Sequence, residues 1–323
     1  MKRHKICKII LAILAVFLCV AFYELIGICI TYKKQPAVSD ATIKETQNIM
    51  SVAGRENTER AVIIEKNSQA LLERVRLIQN AKDEIILSTF AFKSDESGKL
   101  ILGALHDAAD RGVHVRILVD GMESWIDMEG NPYFYGLSSH ENVEIKLYNK
   151  ANPLKPWKTM GRMHDKYLIA DGKIYILGGR NTYNYFLGDF PGHKNFDRDV
   201  LVVCDEPQKD NSVNQLWNYF ETIWEQEDCR YFHNSKKLAD RQSVKKAVLE
   251  LQEGYQQYFE VNKEKICDTD YADETFETEK ITLLSNPIHT QAKEPVVWYQ
   301  LGELMKNAKE RVKIHTPYII CND

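Results

Sequence analysis

The sequence predicts an α/β protein, a mainly parallel sheet flanked by helices, behind an N-terminal transmembrane helix and followed by the start of a second repeat lobe. Three observations predict it. Apolar runs of strand length alternate with amphipathic helical patterns from residue 59 onward. A long apolar run opens the chain, and a helix-strand unit recurs near its end. At 323 residues, 44% hydrophobic and 27% charged, the chain can bury a core of ordinary size. Its net charge of −4 argues against nucleic acid as a partner, because no broad basic footprint is present.

The opening run, IILAILAVFLCVAFYELIGICI (9–30), contains one charge, Glu24. Its 22 residues extend about 33 Å as a helix, enough to cross a bilayer. Lys2, Arg3, Lys5 and Lys8 precede it, against Lys33 and Lys34 after it. This bias predicts a single-pass anchor in the cell membrane with an extracytoplasmic domain. A cleaved signal peptide is the competing reading, but no clear small-x-small site follows. Residues 33–58 read as a polar linker, helical around 43–52.

The alternation then begins. AVIIE (61–65) reads as a strand and 70–82 as a helix; 84–92 is a strand, and 99–112 a helix ending on Gly112. Strands follow at 113–120, 143–148 and 200–204, then helices near 211–226 and 236–262. Connections of this length imply βαβ crossovers. The first lobe therefore covers 59–266, with an acidic linker at 267–278. QNAKDEIILSTFAF (79–92) then aligns with KNAKERVKIHTPYI (306–319), and ERAVIIEKN (59–67) corresponds to EKITLLSNP (279–287), so 279–323 begins a second lobe. Cys204, Cys229, Cys267 and Cys321 show no metal spacing, no metal or other cofactor is implied, and no disulfide pairing is selected.

Residues 162–181, RMHDKYLIADGKIYILGGRN, carry the chemistry. Asp171-Gly172 signals a two-residue hairpin turn. Counting outward sets His164 opposite Gly179, with Lys166 on the same face as His164. Two glycines beside a histidine and a cation leave room for a bulky anion. A neutral imidazole can attack phosphorus, while Lys166 and Asn181 neutralise the non-bridging oxygens. The histidine needs an orienting carboxylate. Asp171 sits too far off at the turn, whereas Asp197 and Asp199 lie at the mouth of the next strand.

His164, Lys166, Asp171, Gly178 and Gly179, in the spacing HxKx4Dx6GG, resemble the HKD signature of the phospholipase D superfamily. GGRNTYNYF (178–186) and FDRDVLV (196–202) resemble its cardiolipin synthase branch most. The resemblance implies a metal-free transesterase with two facing lobes, one histidine becoming phosphorylated while its counterpart protonates the leaving alcohol. It makes His164 the nucleophile, puts Lys166, Gly179 and Asn181 around the phosphate, and gives Asp171 a structural place in the signature. The implied substrate is a phosphatidylglycerol-like lipid in a membrane. By the repeat offset a second motif falls near residue 391, so 1–323 carries half a site. A longer chain, a homodimer and an inactive remnant are the three ways to read that. A hydrolytic phospholipase D or nuclease, and an inactive envelope protein, are the competing functions.

Three further features have two readings each. Lys150, Lys155, Lys158 and Arg162, with Trp157 among them, either guide an anionic headgroup or form a solvated loop. Tyr183, Tyr185, Phe186 and Phe190 either touch lipid or pack on the lobe. Asp120 ends a strand where α/β sheets place functional groups, and loop capping is its plainer role.

Overall fold

The computed structural model describes residues 2–51 and 58–314. Helix α1 (Lys2–Tyr32) comes first. Residues His4–Tyr32 within it are long and apolar enough to cross a membrane, with an 18-residue stretch of mean hydropathy 2.8. Helix α2 (Asp40–Ser51) occupies the linker. Then come β1 (Glu59–Ile64), α3 (Asn67–Asn80), β2 (Glu84–Thr89), α4 (Glu96–Asp110) and β3 (His114–Asp120). Two short helices the periodicity does not signal, α5 (Gly121–Asp127) and α6 (Pro132–Ser138), lead into β4 (Val143–Tyr148). The motif hairpin is β5 (Tyr167–Ala170) and β6 (Ile174–Gly178). After it follow β7 (Asp199–Cys204), α7 (Ser212–Trp224), β8 (Cys229–Tyr231), the 26-residue α8 (Gln242–Cys267), β9 (Phe276–Glu277) and α9 (Val296–Lys306).

Among the described residues nine strands form one sheet in the order β8-β4-β3-β2-β5-β6-β7-β1-β9. The α/β class holds, but the sheet is mixed and not mainly parallel. Among the described residues only β2–β3 and β3–β4 pair in parallel. Helical crossovers impose that direction there, whereas the β5–β6 hairpin, inserted between β2 and β7, must run antiparallel. Strand β1 still points the same way as β2 but is separated from it by three strands, paired with β7.

Side-chain alternation builds two cores. Ile85, Leu87, Ile117, Leu168 and Ile176 face the layer that α3, α4, α6 and α8 cover. Ile86, Leu118, Ile169, Tyr175 and Val202 face α7, whose Phe220 and Trp224 pack on them. Both faces of β2 are therefore dry, which is why its sequence is a continuous apolar run. Tyr183, Tyr185 and Phe190 pack partly buried against the first core and Phe186 within it, so packing is the reading the structure takes.

The expected repeat of β1 at 279–287 carries no strand. It runs as irregular chain with Ile281, Leu283 and Ile288 packed on the α7-side core. Strand β9, at the end of the acidic stretch, joins the sheet edge beside β1. The expected strand within 306–319 falls partly outside the described residues. The described cysteines are free, and Cys204 and Cys229 are buried.

The hairpin departs from the expected register by one residue. Lys173 N–H donates to Ala170 O at 3.0 Å, and Asp171 and Gly172 both take positive φ, 52° and 61°, so the two-residue turn is present. The ladder then pairs Ala170 with Ile174, leaving Lys173 as a bulge whose carbonyl accepts the Cys204 N–H at 2.8 Å. Asp171 fixes the turn by accepting the backbone N–H groups of Lys82, Asp83 and Glu84 at 2.9, 2.8 and 3.0 Å. It is a structural anion at the far end of the hairpin from His164.

A buried ion cluster locks the other end. Arg74 on α3 and Arg180 just after β6 both reach the Asp199 carboxylate, at 2.9 and 3.2 Å. Arg180, 1% exposed, also donates to Asn67 Oδ1 and to the carbonyls of Ile64, Glu65 and Asp197. We expect Asp199→Ala to destabilise the full chain in detergent by about 3–5 kcal/mol, because it strands two buried cations. A loss under about 1 kcal/mol in denaturant unfolding would contradict the cluster's role. Asp171→Gly keeps the turn geometry and removes the acceptor of three N–H groups, so the same measurement should show a loss of about 1.5–3 kcal/mol.

Candidate active site

The segment before β5 is pinned from below. Met163 is fully buried, its sulfur 3.5 Å from Ser88 Oγ, and its N–H donates to Asp120 Oδ2 at 3.2 Å. The other carboxylate oxygen of Asp120 takes an ion pair from Arg162 and caps the start of α5. Asp120 is thus a capping and positioning group, the plainer of its two readings. With 162 and 163 clamped, the next side chain, His164, stands exposed ahead of β5 in the middle of the sheet.

His164 and Lys166 come together as the alternation requires. The imidazole lies 4.6 Å from the Phe90 ring, centroid to centroid, and the Lys166 ammonium lies 5.4 Å over the same ring. Lys166 is 6% exposed, and its Nζ donates to His164 O at 2.6 Å. Because of the bulge, Gly178 and not Gly179 faces the motif here: its N–H donates to Lys166 O at 3.1 Å. Asn181 is buried, with Oδ1 accepting the Ala91 N–H at 3.2 Å.

The glycine pair serves the aspartates and does not leave an empty berth. A methyl on Gly178 would sit 2.0 Å from Asp199 Oδ1, and one on Gly179 would sit 2.0 Å from Asp197 Oδ2. Asp199 is consumed by its two arginines, so it is not the carboxylate that orients His164. Asp197 is half-buried and close enough to Lys166 to favour its charged form. Among the described residues the His164 imidazole has no hydrogen-bond partner, so the orienting role expected of Asp197 has no direct contact behind it.

The environment tunes both groups. Partial desolvation, reinforced by the Lys166 charge, pulls the His164 imidazole below its ordinary value of 6.5 and keeps it neutral near pH 7. Burial lowers the Lys166 ammonium to about 8, against the opposing pull of Asp165 and Asp197. Sequence reading missed Asp165, which lies between the two motif residues in the chain. Burial raises its carboxyl, while the Tyr219 O–H donates to it at 2.8 Å and Lys166 and Lys293 stabilise its charge. Lys293 is itself held below the ordinary lysine value by burial. A cleft of about 380 Å³ is lined by Arg162, His164, Lys166, Tyr219, Leu283 and Lys293 among others. Nothing in the sequence marks Lys293 or Leu283, because only the fold returns residues 283–297 to the motif.

An uncovered neutral imidazole beside a cation is equipped to attack an electrophile whose charge that cation can hold. The model of the family described as cardiolipin synthase, PLD-like domain matches residues 75–224. An uncharacterized Helicobacter pylori protein is 27% identical over 292 residues, covering 82% of this chain and 55% of that protein. Cardiolipin synthase C of Escherichia coli is 29% identical over 154 residues, covering 43% of this chain and 31% of the synthase. The solved structure of NucT from Helicobacter pylori superposes with a TM-score of 0.42 at 17% identity, covering 54% of this chain and 99% of NucT. The chain thus spans 55% and 31% of the lengths of these two curated relatives. The family match encloses the β5–β6 hairpin and its histidine, so it is residues 75–224 that resemble a phospholipase D-like domain.

Proposed function

We propose that this chain is the anchored, motif-bearing part of a cardiolipin synthase-like phosphatidyltransferase that works through a phosphohistidine. The observation that carries the reading is the exposed, neutral His164 imidazole held beside the Lys166 ammonium. In the first step an imidazole nitrogen forms a bond to phosphorus of a phosphatidylglycerol-like donor as the P–O bond to the leaving glycerol breaks. The departing oxygen takes a proton from a general acid, the part that the resemblance gives to a histidine of a second motif. In the second step the hydroxyl of an acceptor lipid attacks phosphorus and passes its proton to the group that protonated the leaving glycerol, while the P–N bond breaks and the imidazole returns to its neutral form. Lys166 and Asn181 Nδ2 hold the non-bridging oxygens through both steps. Asp197, across Gly179, moderates the Lys166 charge.

The half-site is completed by a second motif, in a longer chain or in a second copy. The apolar α1 supports action at the cell membrane, and the flanking charges support an extracytoplasmic domain. Hydrolysis uses the same covalent intermediate with water as the acceptor, and exposure of His164 gives water a path to it.

The complete protein in phosphatidylglycerol vesicles should form cardiolipin, and His164→Ala should abolish it. Phosphatidic acid without cardiolipin would redirect the reading to hydrolysis. Labelled phosphate from the donor should be trapped on His164 as an acid-labile adduct, and its absence from every donor tested would end the covalent mechanism. The pH profile of kcat/KM should be bell-shaped. Activity should fall with acidification below 6.5 as His164 gains a proton, and fall with alkalinisation through about 8 as Lys166 loses one. Lys166→Met should lower turnover roughly 10²–10³-fold, as removing one donor from such a site does.

A further inference from the structure

The basic loop 149–162 is bound to the last turns of the apolar helix. Tyr23 O–H donates to Leu154 O at 3.2 Å. A methyl added to Gly27 would fall 2.5 Å from Pro156 Cγ, so glycine there permits the approach. Between helix and loop lies a cleft of about 170 Å³ lined by Glu24, Met122, Lys150, Lys155, Lys158 and Arg162, among others. Glu24 is the one charge in the apolar run. A carboxylate at such depth is tolerated where it faces cations or a wet cavity, and it does both here.

The four cations differ in what they are free to do. Lys158 is paired with Asp228 at 2.5 Å and Arg162 with Asp120, so these two hold the loop. Lys150 reaches Glu129 only at 4.0 Å, a contact worth little at the surface. Lys155 has no side-chain partner among the described residues. Leu154 is 78% and Met160 57% exposed, so the loop also offers apolar side chains beside the helix. Arg162 lines this cleft and the His164 cleft alike, and burial lowers its guanidinium to about 10.

We propose that the cleft between α1 and residues 149–162 is an entry site for the anionic headgroup of a membrane phospholipid, adjoining the His164 cleft at Arg162, which lines both. Lys150 and Lys155 capture the phosphate at the level of the outer helix turns, while Leu154 and Met160 lie among the acyl chains. The cleft is smaller than a drug-sized site, which suits a headgroup whose tails remain in the bilayer. The inference rests on the lipid-substrate reading above and adds a second, non-catalytic site to it.

Two measurements on the complete protein test it. In the first, turnover of phosphatidylglycerol in vesicles is divided by turnover of the water-soluble diester bis(p-nitrophenyl) phosphate. The Lys150→Glu/Lys155→Glu double variant should lower that ratio at least about tenfold by raising the lipid KM, and the corresponding double arginine variant should restore it. An unchanged ratio, or equal losses on both substrates, overturns the entry site. The second uses the His164→Ala protein in lipid nanodiscs, so that no turnover is needed. Headgroup-spin-labelled phosphatidylglycerol should quench Trp157 fluorescence, read as the difference from Trp157→Phe, more than labelled phosphatidylcholine does. That preference should vanish in the double glutamate variant, and its persistence overturns the proposal. A preserved quenching preference with no wild-type turnover of either substrate would reject the transferase reading while supporting the entry site.

Discussion

The Asp199 carboxylate, shared between two buried arginines, is the constraint around which the rest of this domain is arranged. Two guanidiniums in a dry interior are tolerable only with a partner and filled hydrogen bonds. Arg180 meets the second condition by drawing carbonyls from β1's end, from residue 65 and from residue 197 to one point. That convergence fixes where β6 ends, where β7 begins and how α3 leaves the sheet. Gly178 must then lack a side chain, since the carboxylate occupies the place of its Cβ. The motif's glycine is explained by an ion cluster behind the site.

The charged groups of the site are layered in depth. His164 stands exposed, Lys166 is buried beside it, and Asp165 between them in the chain is half-buried, with Tyr219 as its donor. A lysine buried to that degree would lose its proton more readily still without Asp165 and Asp197 on either side. The two carboxylates therefore keep a cation present at neutral pH while burial keeps it poorly solvated. Such a cation binds phosphate more strongly than a surface lysine, because less water has to be displaced.

Much of this was legible in the sequence, and the reasons differ by element. Asp171-Gly172 encodes its own turn, and alternation encodes the shared face of His164 and Lys166; both are local. The bulge at Lys173 was not legible, since it exists only because β7 supplies the Cys204 N–H to that carbonyl. Strand order was hidden for the same reason. Helix lengths imply crossovers but say nothing of a hairpin inserted between β2 and β7. Choosing between Asp197 and Asp199 needed the positions of Arg74 and Arg180, one of them on α3. Phe90, Tyr219 and Lys293 reach the site from elements 74, 55 and 129 residues away from His164 by number, without any pattern to betray them.

The contacts of α1 with Leu154 and Pro156 and the bond from Tyr32 O–H to Thr290 O mean that the domain does not hang from its helix on a slack tether. On the anchored reading proposed above, these contacts tie the mouth beside His164 to the height of the helix in the bilayer. A lipid substrate would then meet it by lateral diffusion in two dimensions.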